Sequence, residues 1–376
     1  MNRARSLACA VVAAWLAACA KDPFDDPEYA CVCAGLPVHG AEARQEAAER
    51  GYQISTRFDC ITRESHDAVA RVNAQAAGAR AARAAPEQSP SPVALPATLR
   101  EARKSFATRV SVPGSGTPLP KPPAELFIRS DYSSDGRKLA AFVTPDPRDG
   151  AKHAAIVWLT GGDSSTVGDF WIEGGADHDE SASAFRKAGI VMMFPTLRGG
   201  NQNEGTHEFF FGEVDDVIAA ADHLAKLDYV DAGRIYLGGH STGGTLALLT
   251  SESTSRFKAV FAFGAVALVN RYPDSLVPGI EDMDGDEREL RSPLRWLKDI
   301  SSPTWVFEGE ELPANIEDFE VLCALKISPQ LHCVAVPGSN HFSVLAPVTR
   351  VLAARIVGAA DGRPIEISAA DLAVRR

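Results

Sequence analysis

The sequence has few cysteines, fewer basic than acidic residues and no long apolar run. Seven cysteines in 376 residues are too few for a disulfide scaffold, and no paired Cys-x-x-Cys spacing indicates a zinc site. The 38 Lys and Arg against 49 Asp and Glu give a formal charge of −11. This argues against a nucleic-acid binder, which needs a concentrated basic face. No apolar run reaches the roughly 18–20 residues that span a bilayer, so a polytopic membrane protein is excluded.

The first residues have the pattern of an export signal. Two arginines form a basic start, and the apolar stretch Leu7–Ala18 is too short to be a membrane span. The residues Leu16–Cys19 resemble the lipobox of bacterial lipoproteins, in which the Cys is acylated. We predict a signal peptide over residues 1–18 and a lipid anchor on Cys19. The alternative is an ordinary signal peptide that is cleaved nearby.

An acylated Cys19 would anchor the chain at the periplasmic face of a bacterial membrane. Because Ala20 rather than Asp follows it, the outer membrane is favoured over the inner one, by analogy with enterobacterial sorting. Export also places the other cysteines in an oxidising compartment. Candidate disulfides join Cys323 to Cys333, and Cys60 to Cys31 or Cys33. Two buried free thiols explain the first pair equally well.

Changes in composition divide the rest of the chain. Eight of the twelve residues from Ala74 to Ala85 are Ala, and nine Pro fall between Pro86 and Pro123. Proline at this density sustains neither helix nor sheet, which indicates a linker or an extended strap. The predicted parts are a small N-terminal segment over 19–72, the Ala/Pro-rich linker over 73–123, a globular domain over 124–360 and a tail over 361–376.

Short apolar runs alternate with helical periodicity through the globular domain. Runs that are apolar on both faces are typical of central strands in a parallel sheet. They span residues 154–159, 190–194, 235–237, 259–263, 304–307 and 331–336. Glu213–Leu227 has the apolar spacing of a helix, and Ser134–Gly136 marks a hairpin turn between Leu126–Tyr132 and Lys138–Val143. Strands that alternate with helices predict an α/β fold with a doubly wound sheet.

The strongest chemical signal is Gly239-His240-Ser241-Thr242-Gly243. It follows the strand-like run Arg234–Leu237 and precedes the helical run Thr245–Thr250, which is the context of a nucleophile elbow. Glycines two residues to either side of Ser241 let neighbouring backbone pass a sharp turn, and the helix N-terminus favours developing negative charge. Ser241 is therefore the candidate nucleophile. The alternative is a glycine-rich turn that merely exposes a serine.

A serine hydroxyl needs a base, which is expected downstream in the order serine, acid, histidine. His341 lies in the segment Pro337–Phe342, which we call the histidine loop and which directly follows the last apolar run. This puts it at the carboxyl edge of the sheet, together with Ser241. His332 lies within the last apolar run and His240 within the elbow, so both are weaker candidates for the base.

Together these motifs resemble a known family. The stretch from Phe127 to about Leu352 is similar to the catalytic domain of the α/β-hydrolase fold, and above all to serine peptidases of the prolyl oligopeptidase and acylaminoacyl-peptidase types. Besides the elbow and His341, the local matches are Ser134–Gly136, Pro195–Gly200, Gly212–Val217 and Asp228–Asp231. The resemblance implies an α/β-hydrolase fold: a mostly parallel central sheet with helices on both faces, plus the small N-terminal segment.

The resemblance also implies an acid after the strand Trp305–Gly309. The family places an Asp three residues after the Gly, but Leu312 occupies this position. Glu311 is adjacent, and its longer side chain would bring a carboxylate to His341, so Glu311 is the predicted acid. The alternative acids are Glu310, Asp284, Asp286 and Asp318. A plainer interpretation treats Glu308, Glu310 and Glu311 as a solvated acidic loop.

Two backbone N–H groups are predicted to stabilise an oxyanion. One belongs to Thr242, and the other to Gly162 in the segment Thr160–Asp163, which we call the oxyanion loop. The family has His or Tyr at the position of Thr160, so a backbone donor is expected to replace that side chain. The acidic run Asp282–Asp286 has its glycine at the wrong position for an EF-hand, so no metal is predicted.

The sequence thus predicts a serine hydrolase that acts through an acyl-enzyme intermediate and needs no cofactor. The family resemblance favours a peptidase that cleaves short peptides. One alternative is a carboxylesterase of the same fold. Another is a non-catalytic surface lipoprotein that keeps the fold as a binding module, which the displaced acid and the substituted oxyanion loop would favour. The expected partners are a small peptide or ester substrate and, through the lipid anchor alone, a membrane.

Overall fold

A computed structural model describes most of the chain from Thr98 onward and two short stretches before it. The described residues are 29–30, 61–62, 98–175, 178–280, 282–324, 327–359, 363 and 365–372. The chain divides into two compact units, Met1–Val93 and Ala94–Arg376. The predicted signal peptide, Cys19 and the candidate disulfide of Cys60 lie outside the described residues. In the first unit, β1 (Tyr29–Ala30) pairs antiparallel with β2 (Ile61–Thr62).

The second unit alternates strands and helices. Its strands are β3 (Val112–Pro113), β4 (Ile128–Arg129), β5 (Tyr132–Ser134), β6 (Arg137–Leu139), β7 (Ala141–Val143), β8 (His153–Leu159), β9 (Val191–Pro195), β10 (Thr206–His207), β11 (Val230–His240), β12 (Val260–Phe263), β13 (Thr304–Gly309) and β14 (Leu331–Val336). Its helices are α1 (Leu99–Ser105), α2 (Ser183–Lys187), α3 (Glu213–Leu224), α4 (Thr242–Ser253), α5 (Gly285–Glu289), α6 (Ile316–Ala324), α7 (Leu345–Gly358) and α8 (Ala369–Leu372). Three 3₁₀ turns lie at Val269–Arg271, Pro293–Arg295 and Leu297–Asp299.

One large sheet organises this unit. Its strand order is β14-β13-β12-β11-β8-β9-β7-β4, with all pairs from β14 to β9 parallel and β7 and β4 joined antiparallel. Every residue of β9, β12 and β13 is buried, as expected for strands covered on both faces. The mostly parallel sheet with helices on both faces is the α/β-hydrolase architecture, which confirms the predicted fold class.

The two faces of the sheet carry separate apolar cores. One core packs α3 and its apolar residues Val214 and Val217 against the sheet. The other packs Phe185 of α2 and Leu345 of α7 against the opposite face. The helical spacing of the sequence predicted α3 well, because its buried residues recur every three to four positions along one face.

The predicted hairpin forms more locally than expected. Strands β5 and β6 pair across the turn Asp135-Gly136, whose φ angles are both positive, at 48° and 76°. This geometry matches the right-handed twist of a two-residue hairpin. Strand β4 pairs instead with β7 and extends the large sheet.

From Leu99 onward, the chain that precedes the large sheet packs against the rest of the second unit. Leu99 is fully buried, and its N–H donates to Asp299 over 2.7 Å. The Arg103 guanidinium donates to the Asp215 carboxylate over 2.9 Å. Strand β3 pairs antiparallel with β10. Of the two predicted forms of the segment over 73–123, a linker or an extended strap, its last part has the form of a strap, because polar groups of this segment bind partners elsewhere in the unit.

No helix among the described residues is both long and apolar enough to cross a membrane. The longest of the described helices, α7, has fourteen residues, and it packs against the sheet.

The disulfide Cys323–Cys333 joins α6 to β14 across ten positions of the chain. This decides between the two interpretations of these cysteines in favour of a bridge.

A cross-link stabilises chiefly by reducing the entropy of the unfolded chain, and the reduction grows with the length of the loop it closes. We predict that Cys323→Ser combined with Cys333→Ser lowers the free energy of unfolding by about 2–4 kcal/mol. Urea denaturation of both proteins checks this, and equal midpoints with and without reductant for the native chain would contradict it.

Near the end of α4, Glu252 is a buried carboxyl with no hydrogen-bond partner among the residues that the structure describes. The residue is 2% exposed, and neither side-chain oxygen has a hydrogen bond. Burial raises the pKa of Glu252 well above its ordinary value of 4.5, and Asp299 adds to the effect. The folded chain therefore binds a proton that the unfolded chain has released, and stability is lost as the pH rises above 4.5.

We predict that Glu252→Met stabilises the protein, and that the gain increases with pH. Below the unfolded-state pKa, protonation of Glu252 does not lower the free energy of unfolding of the native protein. Above it, the free energy of unfolding falls by about 1.4 kcal/mol per pH unit until the folded-state pKa is passed. Met removes this loss. Thermal unfolding at pH 5 and pH 8 measures the effect. Glu320→Met, which changes an exposed carboxyl on α6, is the matched control. A gain that shrinks towards pH 8 would contradict the prediction.

Candidate active site

The elbow places Ser241 on a strained turn between β11 and α4. Ser241 has φ 57° and ψ −117°, a backbone conformation that L-residues rarely adopt. Its N–H donates to the Phe263 carbonyl at the end of β12 over 2.8 Å. A Cβ at Gly239 would lie 2.3 Å from the Gly243 carbonyl oxygen, and one at Gly243 would lie 2.4 Å from that of Leu159. The two glycines of the motif are therefore required by close packing of backbone.

His341 lies at the same edge of the sheet as Ser241. Its ring packs against Gly264, where a Cβ would lie 2.3 Å from the ring carbon Cε1. Gly264 directly follows Phe263, whose carbonyl binds the Ser241 N–H. The structure thus brings both predicted residues together at the carboxyl ends of β11 and β12.

The partner of His341 is Glu308. The Nδ1 atom of His341 lies 3.2 Å from Oε2 of Glu308, and the two residues are 8% and 1% exposed. A carboxylate only accepts, so Nδ1 carries the proton of a neutral ring. Nε2 is then the unprotonated nitrogen, which is the form that acts as a base towards a serine hydroxyl.

Three N–H groups satisfy the Glu308 carboxylate. Besides His341, Gly309 donates its backbone N–H to Oε1 over 2.8 Å, and Asn315 donates its own to Oε2 over 3.0 Å. The Asn315 side chain donates in turn to the Gly264 carbonyl over 2.8 Å. A buried carboxylate with this many donors is held in one orientation, so it can fix the orientation of the His341 ring.

Glu311, the predicted acid, does not occupy this position. Its side chain is exposed, and its backbone N–H donates to the Ser339 carbonyl over 2.8 Å. The carboxylate position beside His341 is filled by Glu308 from within β13. The sequence carried a usable signal, since Glu308 directly follows the apolar run 304–307 within the predicted strand Trp305–Gly309, and a charge at the end of a buried strand needs partners.

The alternative acids are engaged elsewhere or exposed. Asp284 caps α5 by accepting the Glu287 N–H and also pairs with Arg109. Asp318 accepts the Ala267 N–H over 2.9 Å and pairs with Arg271. The side chains of Glu310 and Asp286 are exposed.

The oxyanion loop meets the start of α4 beside Ser241. The Thr242 hydroxyl donates to the Gly162 carbonyl over 2.8 Å, a bond that the sequence did not predict. Gly162 has φ 70°, which favours glycine, and a Cβ at Gly161 would lie 3.3 Å from the Ser241 Cβ. The structure therefore brings Thr242 and Gly162 together next to the nucleophile. Oxyanion binding by their backbone N–H groups stays a prediction.

No group of three His, Cys, Asp or Glu side chains in the described part of the chain is arranged to hold a metal ion.

The sequence matches a family model in one stretch. Residues 177–309 match the prolyl oligopeptidase family, which here covers the elbow and Glu308 but ends before His341. A peptidase of Bacillus subtilis strain 168, YtmA, itself uncharacterised, is 22% identical over 191 residues, covering 48% of this chain and 71% of that protein. These matches support a serine-type peptidase.

Solved structures of three hydrolases have the same fold. A puromycin-hydrolysing peptidase of Mycobacterium tuberculosis has a TM-score of 0.52 at 22% identity, covering 64% of this chain and 40% of its own. A puromycin hydrolase has a TM-score of 0.51 at 18% identity, with 62% of this chain and 39% of that protein covered. The 2,6-dihydroxy-pseudo-oxynicotine hydrolase has a TM-score of 0.50 at 17% identity over 65% and 71%. The chain spans about two fifths of the first two structures, and the likeness shows the fold.

We predict that Glu308→Gln slows the labelling of Ser241 by a fluorophosphonate about 10²- to 10⁴-fold. In either orientation, the amide sets its NH₂ group against an N–H donor, so the His341 ring loses its tautomer or its alignment. Intact-protein mass spectrometry over time gives the labelling rate. Glu311→Gln is the matched control and should label like the native chain. A loss confined to the Glu311 variant would restore the acid predicted from the sequence.

Proposed function

We propose that this protein is a serine peptidase of the prolyl oligopeptidase type that cleaves short peptides, with Ser241 as nucleophile, His341 as general base and Glu308 as the acid. The observation that carries the proposal is the buried hydrogen bond between His341 and Glu308, at the sheet edge where Ser241 stands on its strained turn. The family match and the peptidase relatives support the reaction class.

The geometry supports an acyl-transfer mechanism. The Ser241 hydroxyl oxygen attacks the peptide carbonyl while Nε2 of His341 takes the hydroxyl proton, and the ring cation forms beside Glu308. The carbonyl oxygen becomes an oxyanion, for which the backbone N–H groups of Thr242 and Gly162 are the proposed donors. The carbon–nitrogen bond then breaks, and His341 gives its proton to the leaving amine.

Water completes the cycle. It attacks the acyl-enzyme, gives a proton to His341 and releases the acid product, while the proton returns to Ser241. Each role falls on a residue of this chain, and no step uses a cofactor.

The binding-module alternative was favoured by the displaced acid and by the substituted oxyanion loop. Glu308 supplies a carboxylate to His341 from within β13. A buried carboxylate with three N–H donors supports a catalytic role over a merely structural one, since such arrangements orient a histidine for proton transfer.

We also propose that the protein is exported and held by a lipid on Cys19 at the periplasmic side of a bacterial membrane, the outer one being favoured. The disulfide Cys323–Cys333 supports this, because such bonds persist in oxidising compartments. Metabolic labelling with a fatty-acid analogue, in the native chain and in Cys19→Ser, tests the anchor. Equal labelling of the two would contradict it.

Fluorophosphonate labelling tests the catalytic proposal. We predict that Ser241→Ala abolishes labelling and lowers peptide hydrolysis at least about 10³-fold, because the nucleophile is lost. Ser301→Ala, which changes an exposed serine, is the control and should label fully. Peptidyl anilides compared with p-nitrophenyl esters separate a peptidase from a carboxylesterase. Unchanged labelling of the Ser241 variant would overturn the proposal.

A further inference from the structure

A second histidine, His240, lies directly beneath the proposed base. It is the residue before Ser241, and its side chain is 1% exposed. Its ring centroid lies 4.6 Å from that of His341. Its Nε2 atom lies 2.9 Å from the His341 carbonyl oxygen. A carbonyl only accepts hydrogen bonds, so Nε2 of His240 carries a proton and donates it.

Both backbone polar groups of His341 are hydrogen-bonded, and His240 binds the carbonyl. On the other side, the His341 N–H donates to the Pro313 carbonyl over 2.7 Å. The loop is further folded on itself, because the Asn340 side chain accepts the N–H groups of Phe342 and Ser343. The His341 backbone is therefore held by a hydrogen bond at its N–H and another at its carbonyl, and the second comes from His240 in the elbow.

His240 also supports the oxyanion loop. A Cβ at Gly161 would lie 3.2 Å from Nδ1 of His240, so the loop rests closely on this ring. One buried imidazole thus touches both the loop that carries the base and the loop proposed to carry an oxyanion donor.

The remaining nitrogen of His240 faces an acidic residue. Nδ1 lies 3.3 Å from Oε1 of Glu180, and the same oxygen lies 3.1 Å from Nε2 of His178. Nδ1 is buried, and no well-aligned hydrogen bond reaches it. Burial lowers the pKa of His240, whereas His240 and His178 lower the pKa of Glu180 to about 2. The charged or titratable groups that face the ring are therefore Glu180 and His341, with His178 and Glu308 behind them.

We propose that His240 is a positioning residue for the hydrolytic reaction: through its Nε2–H it holds the backbone of His341, and through its ring it supports the oxyanion loop. The consequence for rate rests on the proposed function, whereas the consequence for loop structure does not. Because the ring is buried, it acts through His341 and does not contact substrate. Displacing a reacting group by about 1 Å can cost about 10²-fold in rate.

Two variants separate this role from simple packing. His240→Phe keeps a planar ring but removes the donor, whereas His240→Gln places an N–H donor close to the position of Nε2. Hydrogen–deuterium exchange measured by mass spectrometry shows how well the backbone amides of the histidine loop are protected, and it does not depend on activity. We expect faster exchange in the Phe variant and near-native exchange in the Gln variant. Equal protection in the native chain and the Phe variant would overturn the proposal.

The same variants are then assayed for Ser241 labelling and peptide hydrolysis. We expect the Phe variant to lose about 10- to 100-fold in kcat with KM nearly unchanged, and the Gln variant to recover most of it. If the native chain is not labelled, the proposed function fails, and the exchange measurement alone decides the positioning role. If the native chain is labelled and the Phe variant labels equally fast, the positioning role fails and the proposed function stands.

Discussion

A carboxylate buried at the end of a parallel strand sets the arrangement of this site. The Glu308 oxygens accept N–H groups from Gly309, Asn315 and His341, which come from the end of β13, the approach to α6 and the histidine loop. Loss of any of these hydrogen bonds would leave the buried Glu308 charge less well solvated, at a cost in free energy. The loops after β13 and β14 are therefore bound to one side chain, and the His341 ring is held with Nδ1 towards Glu308.

Glycines are as important to this site as its functional side chains. Around the edge of the sheet, a Cβ at Gly243, Gly264 or Gly309 would lie within 2.5 Å of neighbouring atoms. At Gly264 the neighbour is the His341 ring, and at Gly309 it is the histidine loop itself. Glycine thus permits three loops to approach one another closely, and this close approach lets His341 and Ser241 share one edge.

Much of this was predictable from local pattern. The strands β8, β9, β12 and β13 fall on predicted apolar runs, because a strand buried on both faces must be apolar at successive positions. The edge strand β14 also falls on such a run, although it is only partly buried. Ser241 was readable because a sharp strand-to-helix turn demands small residues at fixed spacing. The position of His341 followed from topology, since the loops after parallel strands meet at one edge.

The acid was not predictable in the same way. Glu308 and Glu311 lie three residues apart, and spacing alone favoured the second. Which of them turns inward depends on the donors that converge on it, and Asn315 and His341 reach Glu308 from distant parts of the chain. The contact of His240 with the His341 carbonyl has the same origin, since it joins positions separated by 101 residues.

The amino-acid sequence by itself determined the fold class, the turn that carries Ser241 and the edge of the sheet where His341 lies, because periodicity and turn chemistry are local properties. Only the tertiary structure decided which carboxylate binds His341, the contact of His240 with the His341 carbonyl, the Cys323–Cys333 bridge and the packing of the proline-rich strap. Each of these depends on which distant groups come within bonding distance. That is settled by burial and by the pairing of polar groups in the folded chain.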